Sequence, residues 1–158
     1  MKHQLRAEDS EFATSPPRAF VFDAVVDAPR DRVFEAIVEN VHTWKEWFPG
    51  IKGGSYASAG DHGVGATRLL VLAGARARET ILVYEPPCHW VYRVDATSIP
   101  IARAIVETWG FDDVAQGTHV AWKFAIDPML LFRVLPFPQL TIGAVWRRGM
   151  RNLSARLR

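Results

Sequence analysis

Residues 51–127 alternate short β-prone runs with clusters of turn residues. The turns fall at five places, residues 60–65, 73–74, 86–87, 98–100 and 112–117. Runs that follow one another at this spacing pair with their neighbours, because each short turn brings the next run alongside the last. The pattern predicts an antiparallel meander of about six strands.

One strand and a helix are predicted before the meander. Residues 20–26 are β-prone, and Phe20 and Phe22 lie two positions apart, as on one face of a strand. A helix is predicted from Pro29 to about Asn40, because proline suits a first helical position. This helix places four apolar residues on one face: Val33, Phe34, Ile37 and Val38.

A second short helix is predicted from a capping box. Thr43 and Glu46 are three residues apart. At this spacing the threonine hydroxyl and the glutamate carboxylate can each satisfy a backbone amide at the start of a helix. Pro49 and Gly50 are predicted to end it.

The chain is predicted to end in an amphipathic helix. Residues 129–138 are largely apolar but contain two prolines and Arg133, so they do not continue as one helix. Beyond them, apolar residues recur at steps of three and four: Ile142, Trp146, Met150, Leu153 and Leu157. These parts predict a single α+β domain over residues 18–158. Residues 1–17 are charged and lack a continuous apolar run, and we expect them to form a disordered leader.

Cysteine and histidine content exclude several kinds of site. The single Cys88 cannot form an internal disulfide, an iron–sulfur cluster or a Cys-based zinc site, and it favours a reducing, cytoplasmic location. The five histidines lack the His-x₃-His spacing of a metal site. We therefore expect neither a metal nor another cofactor. Residues 129–146 are too often interrupted by polar residues and prolines to predict a membrane-spanning helix.

Charge is divided unevenly along the chain. Residues 128–158 contain six arginines and no acidic residue, whereas residues 1–127 carry 13 basic and 17 acidic side chains. Five of the six arginines fall in the predicted terminal helix, where amphipathicity places arginine on the solvent face. An acidic body and a basic helix attract each other within one domain. Nucleic-acid binding is not expected, because neither a recognised motif nor basic residues interleaved with aromatics is present.

Seven pieces of sequence, in this order and spacing, carry a resemblance to a known family. They are residues 26–29 (VDAP), 33–37 (VFEAI), 44–51 (WKEWFPGI), 63–65 (GVG), 84–87 (YEPP), 91–94 (VYRV) and 117–122 (GTHVAW), with Glu79 ahead of the fifth. The chain resembles the START-like, or SRPBCC, superfamily, close to its polyketide cyclase/dehydrase branch. The resemblance covers roughly residues 19–157.

The resemblance implies a helix-grip fold. In this architecture a curved antiparallel sheet of about seven strands wraps a long C-terminal helix, and two short helices follow the first strand. An apolar cavity lies between the sheet and the helix. The resemblance does not specify an activity, because the same scaffold serves lipid carriers, cyclases, dehydratases and proteins that only bind.

Strand periodicity predicts which side chains face the terminal helix. In the last strand, Val120, Trp122, Phe124 and Ile126 share one face, which we expect to meet Trp146, Met150 and Leu153. On the preceding strand Glu107 and Trp109 share a face with Arg103, Ile105 and Phe111, and Tyr92 lies one strand further away. These residues line a cavity or fill a solid core, and composition does not distinguish the two.

An ion pair is predicted between Arg68 and Glu79. Glu79 shares its strand face with Ala77, Ile81 and Val83. If residues 73 and 74 form a two-residue hairpin turn, positions that sum to 147 lie opposite each other, which places Arg68 across from Glu79. The pair then lies either inside the cavity or at the rim of the sheet.

The leading hypothesis is binding of a hydrophobic or amphipathic small molecule, such as a lipid, a polyketide-like ring system or an isoprenoid. The candidate ligand-binding residues are Arg68, Glu79, Tyr92, Trp109, Trp122, Phe124, Trp146 and Met150. An alternative is a cyclase- or dehydratase-type enzyme that uses a buried carboxylate, with Glu79 and Glu107 as candidate catalytic groups. A further alternative is a protein- or membrane-interaction module without chemistry, in which residues 129–138 and the C-terminal arginines contact a membrane.

Overall fold

A computed structural model describes residues 1–57, 60, 62–130 and 139–158. Its strands form one antiparallel sheet, with bounds β1 (His3–Gln4), β2 (Arg18–Val26), β3 (Ile51–Tyr56), β4 (Thr67–Leu72), β5 (Ala75–Glu85), β6 (His89–Thr97), β7 (Ala102–Val114) and β8 (Gly117–Pro128). The order across the sheet is β2-β8-β7-β6-β5-β4-β3, and β1 pairs with the end of β6. The six strands β3 to β8 are neighbours in chain order, which confirms the predicted meander.

The helices lie where the sequence predicts them. Helix α1 (Arg30–Phe34) begins after Pro29 and continues as a wider turn over Glu35–Glu39, and its four predicted apolar residues are buried. Helix α2 (Trp44–Trp47) follows a 3-10 turn, and helix α3 (Gln139–Leu157) ends the chain. This arrangement is the helix-grip fold, with short helices after β2 and a long helix held by the sheet.

The predicted capping box does not form. The Thr43 hydroxyl donates to the Asn40 carbonyl at 2.8 Å, and no side chain caps α2. The reason is that a 3-10 turn over Val41–Thr43 leads directly into α2, so Thr43 already has helical backbone angles.

Helix α3 carries two glycines, which allow it to pack closely on β2 and on Phe48 at the end of α2. Its apolar stripe is buried at Trp146, Met150 and Leu153, as predicted. A Cβ at Gly143 would lie 2.8 Å from the ring of Phe22, and one at Gly149 would lie 3.2 Å from the ring of Phe48. Both rings therefore pack against bare helix backbone.

Two strand residues do not face the core as predicted. Register shifts occur between Ile81 and Val83 and between Ala102 and Ala104. Beyond the first shift Val83 packs on the outer face of the sheet, against Val91 and its neighbours, and at the second shift Arg103 is exposed. A β-bulge adds a residue to one strand and so reverses the faces of the side chains beside it.

Residues 3–13 pair with and pack against the sheet in the structure, where the sequence predicts a disordered leader over residues 1–17. Strand β1 pairs with Thr97 and Ala96, where β6 no longer pairs with β7. The Leu5 amide donates to the Asp95 carbonyl and the Arg6 amide to the Arg103 carbonyl, both at 2.8 Å. The segment thus bridges the open ends of β6 and β7, and Leu5 is buried in the main core.

Two terminal arginines pair with acidic residues of the body. Arg156 bonds Glu46 of α2, and Arg158 lies 3.1 Å from Asp27. These pairs agree with the charge division predicted from sequence, while Arg133 lies outside the described residues. Within the ranges that the structure describes, no helix is long and apolar enough to cross a membrane.

Candidate functional site

Two adjoining cavities lie on the concave face of the sheet, and the helices border the first of them. The first, here called the aromatic cavity, has a volume of about 220 Å³ and contains these residues of its own: Trp44, Phe48, Ile51, Tyr92, Trp109, Trp122, Ile126 and Ile142. The second, the aliphatic cavity, has about 190 Å³ and contains these: Ala75, Arg76, Ala77, Glu79, Val94, Thr97, Ile99 and Ile105. Five residues line both cavities: Leu70, Leu72, Ile101, Glu107 and Phe124.

Most of the predicted ligand-binding residues line these cavities. Tyr92, Trp109 and Trp122 line the aromatic cavity, Glu79 lines the aliphatic cavity, and Phe124 lines both. The other three, Arg68, Trp146 and Met150, are buried beside the cavities, and the described lining does not include them. Trp146 stacks on Trp122 with ring centroids 6.3 Å apart.

Arg68 and Glu79 lie opposite each other across the β4–β5 ladder, as the turn geometry predicts. The Nε of Arg68 donates to Oε2 of Glu79, and both side chains are almost completely buried. The pair is therefore inside the molecule and not at the sheet rim. Burial raises the pKa of Glu79, and the facing guanidinium opposes that rise.

Three aromatic rings surround the Arg68 guanidinium. Its central carbon lies 5.0 Å from the ring centroid of Trp44, 4.4 Å from that of Trp90 and 4.3 Å from that of Tyr92. Cation–π attraction is strongest when the cation is shielded from water. Burial lowers the pKa of Arg68, but the Glu79 carboxylate together with the nearby Tyr92 and Tyr56 outweighs this effect, so the net shift is upward and the guanidinium stays charged.

Glu107 is the most unusual polar group of the cavity. One of its carboxylate oxygens, Oε2, accepts a hydrogen bond from the Tyr92 hydroxyl at 2.5 Å and another from Nε1 of Trp122 at 2.7 Å. No described residue donates to the other oxygen, Oε1, although Glu107 lines both cavities. The carboxyl group is thus fixed through one oxygen and open to the cavities through the other.

Burial also changes the acidity of Glu107. It raises the pKa of Glu107 to about 7, because water no longer stabilises the charged form, and the nearby Glu79 carboxylate adds to the effect. Hydrogen bonds from Tyr92 and Trp122 act in the opposite direction but are smaller. Near neutral pH this group can therefore either hold or release a proton, which is what general acid–base chemistry requires.

Several lining residues are not among those predicted from the sequence. Leu70 shares the strand face of Arg68, so its position could have been inferred from period two. Ile101 precedes β7 in an irregular segment, where no periodicity applies. Trp44 and Phe48 come from the region of α2, and only the tertiary structure brings them to the cavity.

A second polar cluster joins the turn after α1 to the segment after β3. Nδ1 of His62 lies 2.5 Å from Oε2 of Glu39, and the Tyr84 hydroxyl donates to Oε1 of Glu39 at 2.7 Å. The ring of Tyr56 stacks on that of His62 with centroids 3.7 Å apart. Across the described ranges, no group of three metal-ligating side chains is close enough to hold a metal ion.

The sequence as a whole matches one protein family. The family of polyketide cyclases/dehydrases and lipid transport proteins matches residues 18–158. The chain belongs to this family. The resemblance to the START-like superfamily is thereby confirmed, and members of the family generally bind hydrophobic ligands. A search of curated proteins finds no match to this chain.

Solved structures of the same fold include a ginseng protein, Ara h 8.0201 and a protein from a biosynthetic pathway. The ginseng major latex-like protein 151 from Panax ginseng has a TM-score of 0.73 at 14% identity, over 89% of this chain and 97% of that one. Ara h 8.0201 has a TM-score of 0.66 at 12% identity, over 89% and 97%. The di-domain ARO/CYC BexL has a TM-score of 0.68 at 14% identity, over 92% of this chain and 52% of that one. At these identities the likeness shows the fold alone.

The segment predicted to touch a membrane begins beside the cavities. Met129 donates its amide to the carbonyl of Ile101, which lines both cavities, and Leu130 is 70% exposed. Residues 131–138, the rest of that predicted contact, lie outside the described residues.

Proposed function

We propose that the protein binds a hydrophobic or amphipathic small molecule, such as a lipid, a polyketide-like ring system or an isoprenoid, in the two adjoining cavities. The observation that carries this proposal is an apolar space in whose shared walls Glu107 has the only polar side chain among the described residues. Binding sites for small molecules typically combine apolar walls with a few placed polar groups.

Apolar burial supplies the affinity in this proposal. Each square ångström of apolar ligand surface removed from water contributes ~25 cal/mol. Polar contacts then orient the ligand more than they hold it. Glu107 and the Arg68–Glu79 pair are the groups placed to do so, since the first opens on both cavities and the second borders the aliphatic one.

A variant that fills the cavities tests this proposal. Ile101 lines both cavities, so Ile101→Trp replaces empty space with an indole ring. The matched control is Val21→Trp, because Val21 is exposed on the outer face of the sheet. Calorimetric titration with heptylbenzene should show saturable binding to the wild type and to the control, and strongly weakened binding to Ile101→Trp. Equal binding by all three proteins would place the ligand elsewhere and contradict the proposal.

We also propose an enzymatic alternative that uses Glu107. Its open oxygen and its pKa of about 7 suit it to take a proton from carbon next to a carbonyl group. In a β-hydroxy ketone, loss of that proton expels the hydroxyl group, which leaves as water with the proton that Glu107 has taken, and a conjugated enone forms. Glu79 is less suited, because its Oε2 is bonded to Arg68.

Absorbance of the conjugated product tests the enzymatic alternative. An apolar aryl β-hydroxy ketone should be converted to its enone at a rate that rises with pH through about 7, as Glu107 ionises. Glu107→Gln should abolish this turnover while retaining the ability to bind heptylbenzene. Unchanged turnover in Glu107→Gln would remove Glu107 from the catalytic role.

A membrane contact beside the cavities is a further proposal. Ile99, Met129 and Leu130 are exposed apolar side chains close to Ile101. Insertion of such side chains would bring the cavities to the lipid surface. In liposome co-sedimentation, Leu130→Glu should reduce binding, whereas the distant Val64→Glu, at a residue of equal exposure, should not. Equal effects of the two changes would contradict it.

A further inference from the structure

The two cavities have walls of different chemistry. The aromatic cavity is lined by the rings of Trp44, Phe48, Tyr92, Trp109 and Trp122. The residues that line only the aliphatic cavity include small and branched side chains, namely Ala77, Val94, Ile99 and Ile105. Aromatic walls favour a flat ring, whose faces and edges stack on theirs, whereas branched aliphatic walls suit a flexible alkyl chain.

Glu107 lies where the two cavities meet. It lines both of them, together with Leu70, Leu72, Ile101 and Phe124, so it stands among the shared walls and not at either far end. The middle of a molecule that occupies both cavities therefore lies beside Glu107. Its ends lie against the side chains that belong to one cavity only.

The other polar groups of the two cavities are already engaged or lie outside the shared walls. The Tyr92 hydroxyl and Nε1 of Trp122 both donate to Oε2 of Glu107. Oε2 of Glu79 accepts from Arg68, and the hydroxyl of Thr97 donates to the Ile99 carbonyl.

Arg76 is exposed, and it lines the aliphatic cavity only. Among the described residues, Oε1 of Glu107 thus remains the polar atom of the shared walls that is open to a ligand.

We propose that the ligand is an elongated molecule with a ring at one end, an alkyl portion at the other and a hydroxyl group between them that donates to Oε1 of Glu107. This inference rests on the proposed function, because it names the class of molecule that the cavities accept. A hydroxyl at the free end of the alkyl chain would lie away from Glu107 and lose its hydrogen bonds to water. A molecule without a hydroxyl leaves Oε1 without a partner.

Three matched probes test the position of the hydroxyl. They are heptylbenzene, the alcohol with its hydroxyl on the carbon next to the ring, and the isomeric alcohol with its hydroxyl at the end of the chain. Calorimetric titrations at a pH above 8 keep Glu107 ionised. A hydrogen bond to a charged group contributes about 1.5–3 kcal/mol, so the benzylic alcohol should bind roughly tenfold or more tightly than the terminal alcohol.

The variant Glu107→Gln tests the partner atom. The glutamine oxygen can keep the hydrogen bonds from Tyr92 and Trp122, so the amide nitrogen then takes the place of Oε1 and presents donors to the cavities. The wild type should prefer the benzylic alcohol to the corresponding ketone, which cannot donate. In Glu107→Gln this preference should disappear or reverse.

The outcomes separate this inference from the proposed function. If heptylbenzene binds and the two alcohols bind equally well, the cavities accept ligands but the hydroxyl position is wrong. An identical alcohol-to-ketone preference in the wild type and in Glu107→Gln would exclude Glu107 as the partner. If none of the probes binds, heptylbenzene included, the proposed function fails and this inference fails with it.

Discussion

Tyr92 of β6 and Glu107 of β7 lie directly opposite each other in the sheet, and the tyrosine hydroxyl donates to Oε2 of the glutamate at 2.5 Å. Both side chains point to the concave face, where Trp122 supplies the second donor. Burial raises the pKa of Tyr92 well above its usual range, and the Glu107 carboxylate adds to this rise. The tyrosine therefore stays protonated and remains a donor whatever the state of Glu107.

The raised pKa of Glu107 predicts that stability falls as pH rises. In the unfolded chain Glu107 ionises near its ordinary pKa of 4.5, whereas in the folded protein it keeps its proton up to about 7. Between these two pH values the folded state binds more protons than the unfolded state. The contribution of Glu107 to the free energy of unfolding therefore falls by roughly 3 kcal/mol from pH 4.5 to about pH 7. Urea unfolding at several pH values measures the change.

Glu107→Gln is the matched test of this pH dependence. Glutamine keeps the size of the side chain and an acceptor for Tyr92 and Trp122 but does not ionise. The variant should lose much of the decline between pH 4.5 and 7, and it should be more stable than the wild type above that range. The same pH profile in both proteins would show that Glu107 is not the group that titrates.

Loss of Arg68 should destabilise the protein strongly. Arg68→Met leaves Glu79 buried without its partner and removes the cation from among three aromatic rings. Breaking a buried pair on one side costs about 3–5 kcal/mol. The double variant Arg68→Met/Glu79→Leu should recover part of that loss, because no charge is then left buried. Additive losses in a denaturant-based double-mutant cycle would show that the two groups do not interact.

A glycine-to-alanine substitution in α3 is expected to destabilise the protein, which is the opposite of its usual effect in a helix. Glycine to alanine in a helix ordinarily stabilises by about 1 kcal/mol. At Gly143 the added Cβ would lie 2.8 Å from the Phe22 ring, so Gly143→Ala should lower the melting temperature. Ala144→Gly, at the exposed neighbour, should also lower it, but only through helix propensity. A stabilised Gly143→Ala would mean that α3 does not approach β2 this closely.

The packing of the N-terminal segment predicts that replacing Leu5 destabilises the protein. Leu5 is buried in the main core, and Leu5→Ala should lower the free energy of unfolding by about 2–3 kcal/mol. Lys2→Ala, at an exposed position of the same segment, should have little effect. A disordered segment would make the two substitutions equally silent in thermal unfolding.

Much of this architecture could be predicted from local patterns. The pairing of Arg68 with Glu79 follows from the two-residue turn that ends at Gly74, and the inward face of β8 follows from period two. Both depend on residues close in sequence. The bulges beside Val83 and Arg103 could not be predicted in this way, because one inserted residue reverses a face without changing the composition of the strand.

The N-terminal segment and the cavities depend on long-range packing. The sequence of residues 1–17 looks polar, and Leu5 is recognisable as a core residue only because β6 and β7 separate beside it. The open oxygen of Glu107 likewise follows from two donors, Tyr92 and Trp122, that lie on different strands. All three residues are predicted site residues, but local sequence patterns do not determine which oxygen of Glu107 stays open.

Methyl-resolved NMR gives the most direct test of the central claim that the cavities bind an apolar molecule. On titration with heptylbenzene, the methyl signals of Leu70, Leu72 and Ile101 should shift and saturate together, because all three line both cavities. The methyl signals of Val21 and Val25, exposed on the outer face, should stay unchanged. Shifts confined to these valines, or no saturable shift of the lining methyl groups, would contradict the account.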